Sequence, residues 1–370
     1  MLKSMTRAVL FIGQKPKVSK WSNPAVKGQP PYDPQENFMA VLSRYSGTVL
    51  PLVLTKPLLY ALILLHATFH LIDASCGGLL PLDTTVVVSL PATLLIFLVV
   101  FYNGNCYTRF FELWKHTCEL NGLVTEWVME TCFFFDMLDE LDGVRDGQAG
   151  DLLIVDASWR AVRRVLSAMY LLFMALDVET LDADKDWLGR TTRVANLLCG
   201  EGLEEEEYTA LVELGLLTPD EAKSVTEYPG LKCNLPIRWA LSELKAVCKM
   251  DPGIVASRRH NFENLQTIAT AFSKKAILIV TFMQQPLPFV YFHVLKIMMV
   301  LISTIVSYSL VEIFGDEGWM RSTSIYILIQ GNLLGLMEIA GAMADPFGKS
   351  AVQFMACLPV PTACCLLLAA

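Results

Sequence analysis

Residues 90–114 read LPATLLIFLVVFYNGNCYTRFFELW. The stretch places Pro91 at a helix start, continues without a charge to Tyr102, and then turns polar at Asn103, Asn105, Tyr107 and Arg109. An uncharged apolar segment that changes character so sharply is the pattern of a membrane helix emerging into water at its C-terminal end. At about 3.6 residues per turn, Thr93, Phe97 and Phe101 share one face, so two aromatic rings stand in line along the span. Taken alone, such a stripe is most simply a surface that packs against a neighbouring helix.

The rest of the chain is of the same kind. Of its 370 residues 54% are hydrophobic and the mean hydropathy is +0.45, with the apolar residues gathered into long runs on either side of a charged middle. This excludes an ordinary soluble enzyme and implies a polytopic membrane protein with a water-exposed part. A net charge of -8 argues against nucleic-acid binding, which needs Lys and Arg against phosphate. Ten cysteines include no CxxC pair, so neither a disulfide framework nor a zinc site is indicated, and free thiols on a reducing side are the default.

Residues 1–46 form a basic, acid-poor arm with a Pro-rich QPPYDP at Gln29–Pro34; it fits an organelle transit sequence and an ordered extended arm equally. A first span is expected within Gly47–Ile72, with Lys56 and Pro57 in its first half. His66 and His70, one turn apart, have the spacing of a metal or haem pair, but no third ligand is in sight, and histidines satisfied by neighbours are the simpler reading. The second span is the quoted stretch. From Phe110 to about Lys275 the chain is amphipathic at helical spacing, as at Trp159, Val162, Val165, Leu166 and Met169, which predicts soluble helices. Thr218, Pro219, Asp220 and Glu221 predict a helix start with a capping box. Asp182, Asp184 and Asp186 imitate a calcium loop, yet Trp187 stands where glycine is needed and Arg193 where a bidentate glutamate belongs. The acidic run Glu204–Glu207 reads as a solvated helix face. Hydrophobicity returns at Ala276; Pro286 and Pro288 break the chain before a third span over 290–314, and Trp319 anchors a fourth to Met343.

The basic residues cluster in the N-terminal arm, after span two at Arg109 and Lys115, and before span three at Lys274 and Lys275, whereas the loop 73–83 has none. The positive-inside rule therefore puts both termini and the middle domain on the cytosol-like side. The expected plan is all-α: an arm (1–46), a membrane hairpin (47–109), a helical cytosolic domain (110–275), a second hairpin (276–343) and a C-terminal segment (344–370).

Three stretches, Phe101–Trp114 (FYNGNCYTRFFELW), Gln285–His293 (QPLPFVYFH) and Leu336–Gly348 (LMEIAGAMADPFG), occur in an order that resembles the bestrophins, a family of pentameric anion channels. The likeness is closer to microbial, plant and algal members than to animal ones, and covers roughly residues 40–350 in plan. Asn103, Tyr107, Arg109, Pro286, Pro288, Asp345, Pro346, Phe347 and Gly348 carry the family motifs. The resemblance implies a homopentamer in membrane lipid, with span two lining the pore and Thr93, Phe97 and Phe101 at its neck; Thr93 departs from the usual apolar ring and implies a wider, more polar end. A looser match sets Ile237, after Pro236, at a cytosolic constriction.

Chloride, and bicarbonate beside it, are the permeant ions the resemblance implies, with no cofactor required, in a plasma membrane or an organelle membrane such as the chloroplast thylakoid. Animal members follow the DPFG-like motif with carboxylates that bind calcium. Here Lys349, Ser350, Ala351, Val352 and Gln353 follow it, so a calcium clasp is expected to be absent or weak. Two rival readings are a membrane-anchored scaffold that binds basic partners through the acidic middle domain, and a membrane enzyme; the second lacks any nucleophile, base and orienting group close in sequence.

Overall fold

Proline and glycine set several helix ends in the computed structural model, which describes residues 49–76, 84–142, 148–176, 205–250, 252–284, 289–315 and 318–344. A short helix α1 (Leu50–Leu54) stops at Thr55, and Pro57 opens α2 (Pro57–Cys76). Proline fits that first position because its missing N–H is one that a helix start leaves unpaired anyway. The first span is thus shorter than the sequence suggests, and Lys56 lies in the break rather than inside it.

The helix that carries the quoted stretch, α3 (Thr84–Asp142), runs for 59 residues, about 90 Å at 1.5 Å per residue. Pro91 lies inside it and not at its start. The chain becomes helical a full two turns earlier, and a proline inside a membrane helix is tolerated where neighbouring groups satisfy the freed carbonyl. The remaining helices are α4 (Gln148–Leu176), α5 (Glu205–Glu213), α6 (Pro219–Glu227), α7 (Asn234–Met250), α8 (Pro252–Gln284), α9 (Phe289–Phe314) and α10 (Trp319–Ala344). The described residues contain no strand, as the spacing of apolar residues predicted. Gly215 (φ 69°) and Gly315 (φ 59°) end α5 and α9 in the left-handed conformation that glycine adopts without strain.

Among the described residues five helical segments are long and apolar enough to cross a membrane: Pro57–Cys76, Pro91–Phe134, His260–Gln284, Tyr291–Phe314 and Trp319–Ala344. The expected plan has four spans; His260–Gln284, most of which falls in the expected helical cytosolic domain, is a further segment of that length and composition. The helix α8 also begins well before Ala276, at Pro252.

Packing divides the chain at Glu112/Leu113 and Gln285/Pro286 into two units. In the unit made of 49–112 and 289–344, α9 packs on α2 and α10, and α10 packs on α1 and α2. Its core joins Leu59, Leu95, Val99, Tyr102, Leu295, Met299, Leu334 and Met337. Gly335 lets α10 come close to the start of α1, since a Cβ there would lie 2.8 Å from Val49 Cγ1.

A polar seam runs through the same unit. His66, 1% exposed, has Ser307 Oγ 2.9 Å from Nδ1 and Ser322 Oγ 3.0 Å from Nε2, and its ring stacks on Tyr326 at 4.5 Å. His70 Nε2 lies 3.2 Å from the same Ser322 hydroxyl, and Ser303 donates to Gln330 Oε1 at 2.9 Å. The two histidines are thus held by hydroxyl groups of α9 and α10. Interhelical hydrogen bonds of this kind fix neighbours in an apolar medium.

The other unit comprises the remainder of α3 from Leu113, and α4 to α8. Here α4 packs on α7, α7 on α8, and α5 on α6. Val162, Val165, Leu166 and Met169 are all buried, as their spacing predicted. The predicted capping box is present: Glu221 N–H donates to Thr218 Oγ1 at 3.2 Å and Thr218 N–H donates to Glu221 Oε2 at 3.0 Å.

The Glu221 carboxylate also accepts from Arg163 Nη2 at 2.8 Å and from Arg164 Nε at 2.9 Å, while Arg164 Nη1 reaches Glu243 at 2.8 Å. Burial opposes ionisation of Glu221, but the Thr218 N–H and the two guanidinium groups outweigh it and hold the carboxyl below the usual carboxylate range. Lys232, 7% exposed, caps the chain leaving α6 by donating to the carbonyls of Thr226 and Tyr228; burial pulls its ammonium below the ordinary lysine range.

Candidate functional site

Between Pro91 and Glu112, α3 has two unlike faces. Leu95, Val99, Tyr102 and Cys106 recur at helical spacing and are 1%, 1%, 5% and 0% exposed, packed into the core with α9 and α10. On the other side Phe97 is 64% and Phe101 53% exposed, and Thr93 is exposed as well. The face predicted to line a path is therefore turned away from the chain's own core, and the structure brings its three residues into one line.

The rings are ordered. Phe97 and Phe101 stack with centroids 6.4 Å apart and planes 14° from parallel. Phe101 meets Tyr291 of α9 edge to face at 6.0 Å and 74°. Tyr291 is itself fixed, because its hydroxyl donates to the Leu98 carbonyl at 2.8 Å. Tyr102 packs on Phe292 at 5.8 Å behind it. Sequence reasoning missed this support, although Tyr291 and Phe292 stand in the QPLPFVYFH stretch, and an aromatic pair there was the available signal.

Thr93 is less polar in place than its identity suggests. Its hydroxyl donates to the Ser89 carbonyl at 2.7 Å, so the hydrogen is committed to the backbone and the side chain presents lone pairs and a methyl group. Further along, Asn103 is half-buried and donates to the Val99 carbonyl at 3.0 Å. Tyr107, 58% exposed, stacks on Phe111 at 6.5 Å, and Arg109 is half-buried. On the opposite flank an apolar cavity of about 690 Å³ opens between α3, α9 and α10, lined by Leu95, Ile96, Ile302, Val306 and Leu333.

Ile237 belongs to the other unit: it lies in α7, which packs on α4, and is 3% exposed. Pro286, Pro288, Asp345, Pro346, Phe347 and Gly348 lie outside the described residues, as do the N-terminal arm, the Asp182–Asp186 stretch and the segment after residue 344. Among the described residues no three His, Cys, Asp or Glu side chains come together to hold a metal ion.

Described residues that are all helix and turn, with five apolar helical segments long enough to span a bilayer, define an integral membrane protein. Its architecture is that of known structures. A bacterial bestrophin homolog from Klebsiella pneumoniae is similar to it with a TM-score of 0.56 and 14% identity over 84% of this chain and 97% of that one. Two mutated forms of the Klebsiella pneumoniae bestrophin homolog give TM-scores of 0.55 and 0.53 at 16% and 15% identity, over 87% and 83% of this chain and 96% and 95% of theirs. The chain has a bestrophin-like fold. No protein-family model and no curated protein matches it by sequence.

Proposed function

We propose that the chain is one protomer of a homopentameric anion channel, with four of its spans crossing the membrane and the Thr93, Phe97 and Phe101 face of α3 forming the neck. The observation that carries the reading is the exposure of Phe97 and Phe101 on a helix whose opposite face is fully buried. A ring of five such helices encloses a path that one helix face cannot. Leu94, Ile96 and Val100, which flank the phenylalanines and are 50%, 57% and 62% exposed, provide apolar surface for neighbouring copies.

A neck of this kind selects anions without a fixed positive charge. Aromatic edges carry partial positive charge, and an apolar constriction opens and closes through small changes in width and wetting. Weakly hydrated anions cross it most readily. Chloride and bicarbonate are the proposed ions, and the DPFG-like motif at Asp345–Gly348, followed by Lys349, makes opening independent of micromolar calcium.

The test is direct. Purified protein is placed in planar bilayers under chloride, bicarbonate and sodium gradients, and its mass is measured in detergent. Reversal potentials that follow the anion gradients and a mass of five chains are expected. Potentials that follow sodium, or a conducting monomer or dimer, would overturn the reading.

A further inference from the structure

The cavity between α3, α9 and α10 holds about 690 Å³ and is lined mostly by apolar side chains. Its walls come from the early turns of α3 (Ser89 to Ile96), the second half of α9 (Ile302 to Ile313) and the middle of α10 (Ile329 to Leu333). All three helices contribute spans to the membrane unit, so the cavity opens into hydrocarbon rather than water. A gap of this size does not stay empty, because an unfilled one forfeits dispersion contacts along its whole lining. Water is a poor occupant. It needs several polar partners, and of the three polar lining residues Asn332 already donates its amide hydrogen to the Leu328 carbonyl at 2.9 Å.

Depth and length identify what fits. Ile302 lies at the middle of the Tyr291–Phe314 span and Ile313 next to its end, about 17 Å further along the helix. One leaflet of a hydrocarbon core of about 30 Å is about 15 Å deep, so the cavity runs from the bilayer middle to one boundary. Asn332 and Leu333 agree, since they stand at the middle of Trp319–Ala344. The other two polar residues, Ser89 near the start of α3 and Ser309 near the end of α9, lie towards the boundary, where the ester oxygens of a lipid are found. A chain that is apolar along one leaflet and polar at its outer end is the tail of a phospholipid. The chain's own C-terminal segment leaves α10 at Ala344, the opposite end of that helix from the cavity's boundary side.

We infer that this cavity binds one acyl chain of a phospholipid from the leaflet at the C-terminal end of α9. Seated there, the acyl chain lies against Ala92, Leu95 and Ile96, on the turns of α3 that also carry Thr93 and Phe97. The site needs only that α3, α9 and α10 stand in a membrane. A protein that held the lipid and passed no current leaves it intact, and a conducting channel whose cavity took no lipid overturns it alone.

The experiment uses the full chain in liposomes that contain a phosphatidylcholine with a diazirine on one acyl chain; after irradiation, adducts are mapped by peptide mass spectrometry. Wild type is expected to carry adducts at Ile302, Val306 or Leu333, beside those at Leu64 and Leu71 of α2, which are 69% and 68% exposed. Moving the diazirine from the tip of the chain to its ester end is expected to move the cavity adducts towards Ser309 and Ile313. Val306→Trp and Ala92→Phe fill the cavity from two different helices, and each is expected to lose the cavity adducts while Leu64 and Leu71 stay labelled. Melting temperatures establish that each variant folds, and the wild-type map decides the question even where neither does. A wild-type cavity that stays unlabelled beside a labelled α2, because a neighbouring copy or another part of the chain closes it, overturns the inference. So do cavity adducts that persist in a folded Val306→Trp or Ala92→Phe variant.

Discussion

Replacing Phe97 and Phe101 with alanine separates the proposed neck from the fold. Truncating a fully buried phenylalanine costs about 3–5 kcal/mol. Phe97 is 64% and Phe101 53% exposed, so only a third to a half of each ring is covered, and the cost per chain falls to about 1–2 kcal/mol for either. Phe101 also loses its edge contact with Tyr291, worth about 1 kcal/mol, so Phe101→Ala is the more destabilising of the two. Both variants are expected to fold and assemble. In the proposed pentamer each substitution removes five phenyl groups from the proposed neck; lowering the barrier there by about 1.4 kcal/mol raises the rate of passage tenfold. Single-channel or macroscopic currents in bilayers are expected to rise on the order of tenfold, with weaker closure. Size-exclusion chromatography and thermal melting control for assembly. Unchanged current in a well-assembled variant would refute the assignment, because this face would then point to lipid or to a neighbour.

Thr93→Phe adds a ring to the same face and is expected to lower the current in the same bilayers; an increase would place Thr93 off the path. Currents recorded under strong calcium chelation are expected to persist, whereas loss on chelation and recovery on adding calcium would show that other ligands form a clasp. Glu221→Gln leaves Arg163 without its carboxylate and Arg164 with Glu243 alone, at a cost of about 3 kcal/mol, read as a lower melting temperature. The folded carboxyl is held below its unfolded value of about 4.3, so its contribution is present above that pH and fades as pH falls through the lowered value. Wild type and Glu221→Gln are therefore expected to converge in stability in acid, and a gap that widened there would contradict the linkage.

The membrane helices were legible because long uncharged runs have one explanation, and the turn of α3 was legible because Leu95, Val99 and Tyr102 keep helical spacing against Thr93, Phe97 and Phe101. The Thr218–Glu221 cap was readable because all its atoms lie within one turn. What escaped was whatever depends on a partner far along the chain. Tyr291 behind Phe101, Ser307 and Ser322 around His66, and Glu338 beside Lys56 leave no local pattern. Pro91 misled for a related reason. Proline is a start signal in water, but a long apolar helix continues past it when its neighbours complete the backbone.

The polar seam has a consequence for how the protein is made. His66 emerges from the ribosome in α2, while the serines that hold its ring follow 241 and 256 residues later. At 5–20 residues per second that delay is about 12–50 s. For all that time α2 carries an imidazole whose final partners do not exist, in a medium that offers few substitutes. Biogenesis of this bundle is therefore held open until its last helix arrives, and a nascent chain that stalls before Ser322 presents the membrane's quality-control machinery with a polar handle that the finished protein conceals.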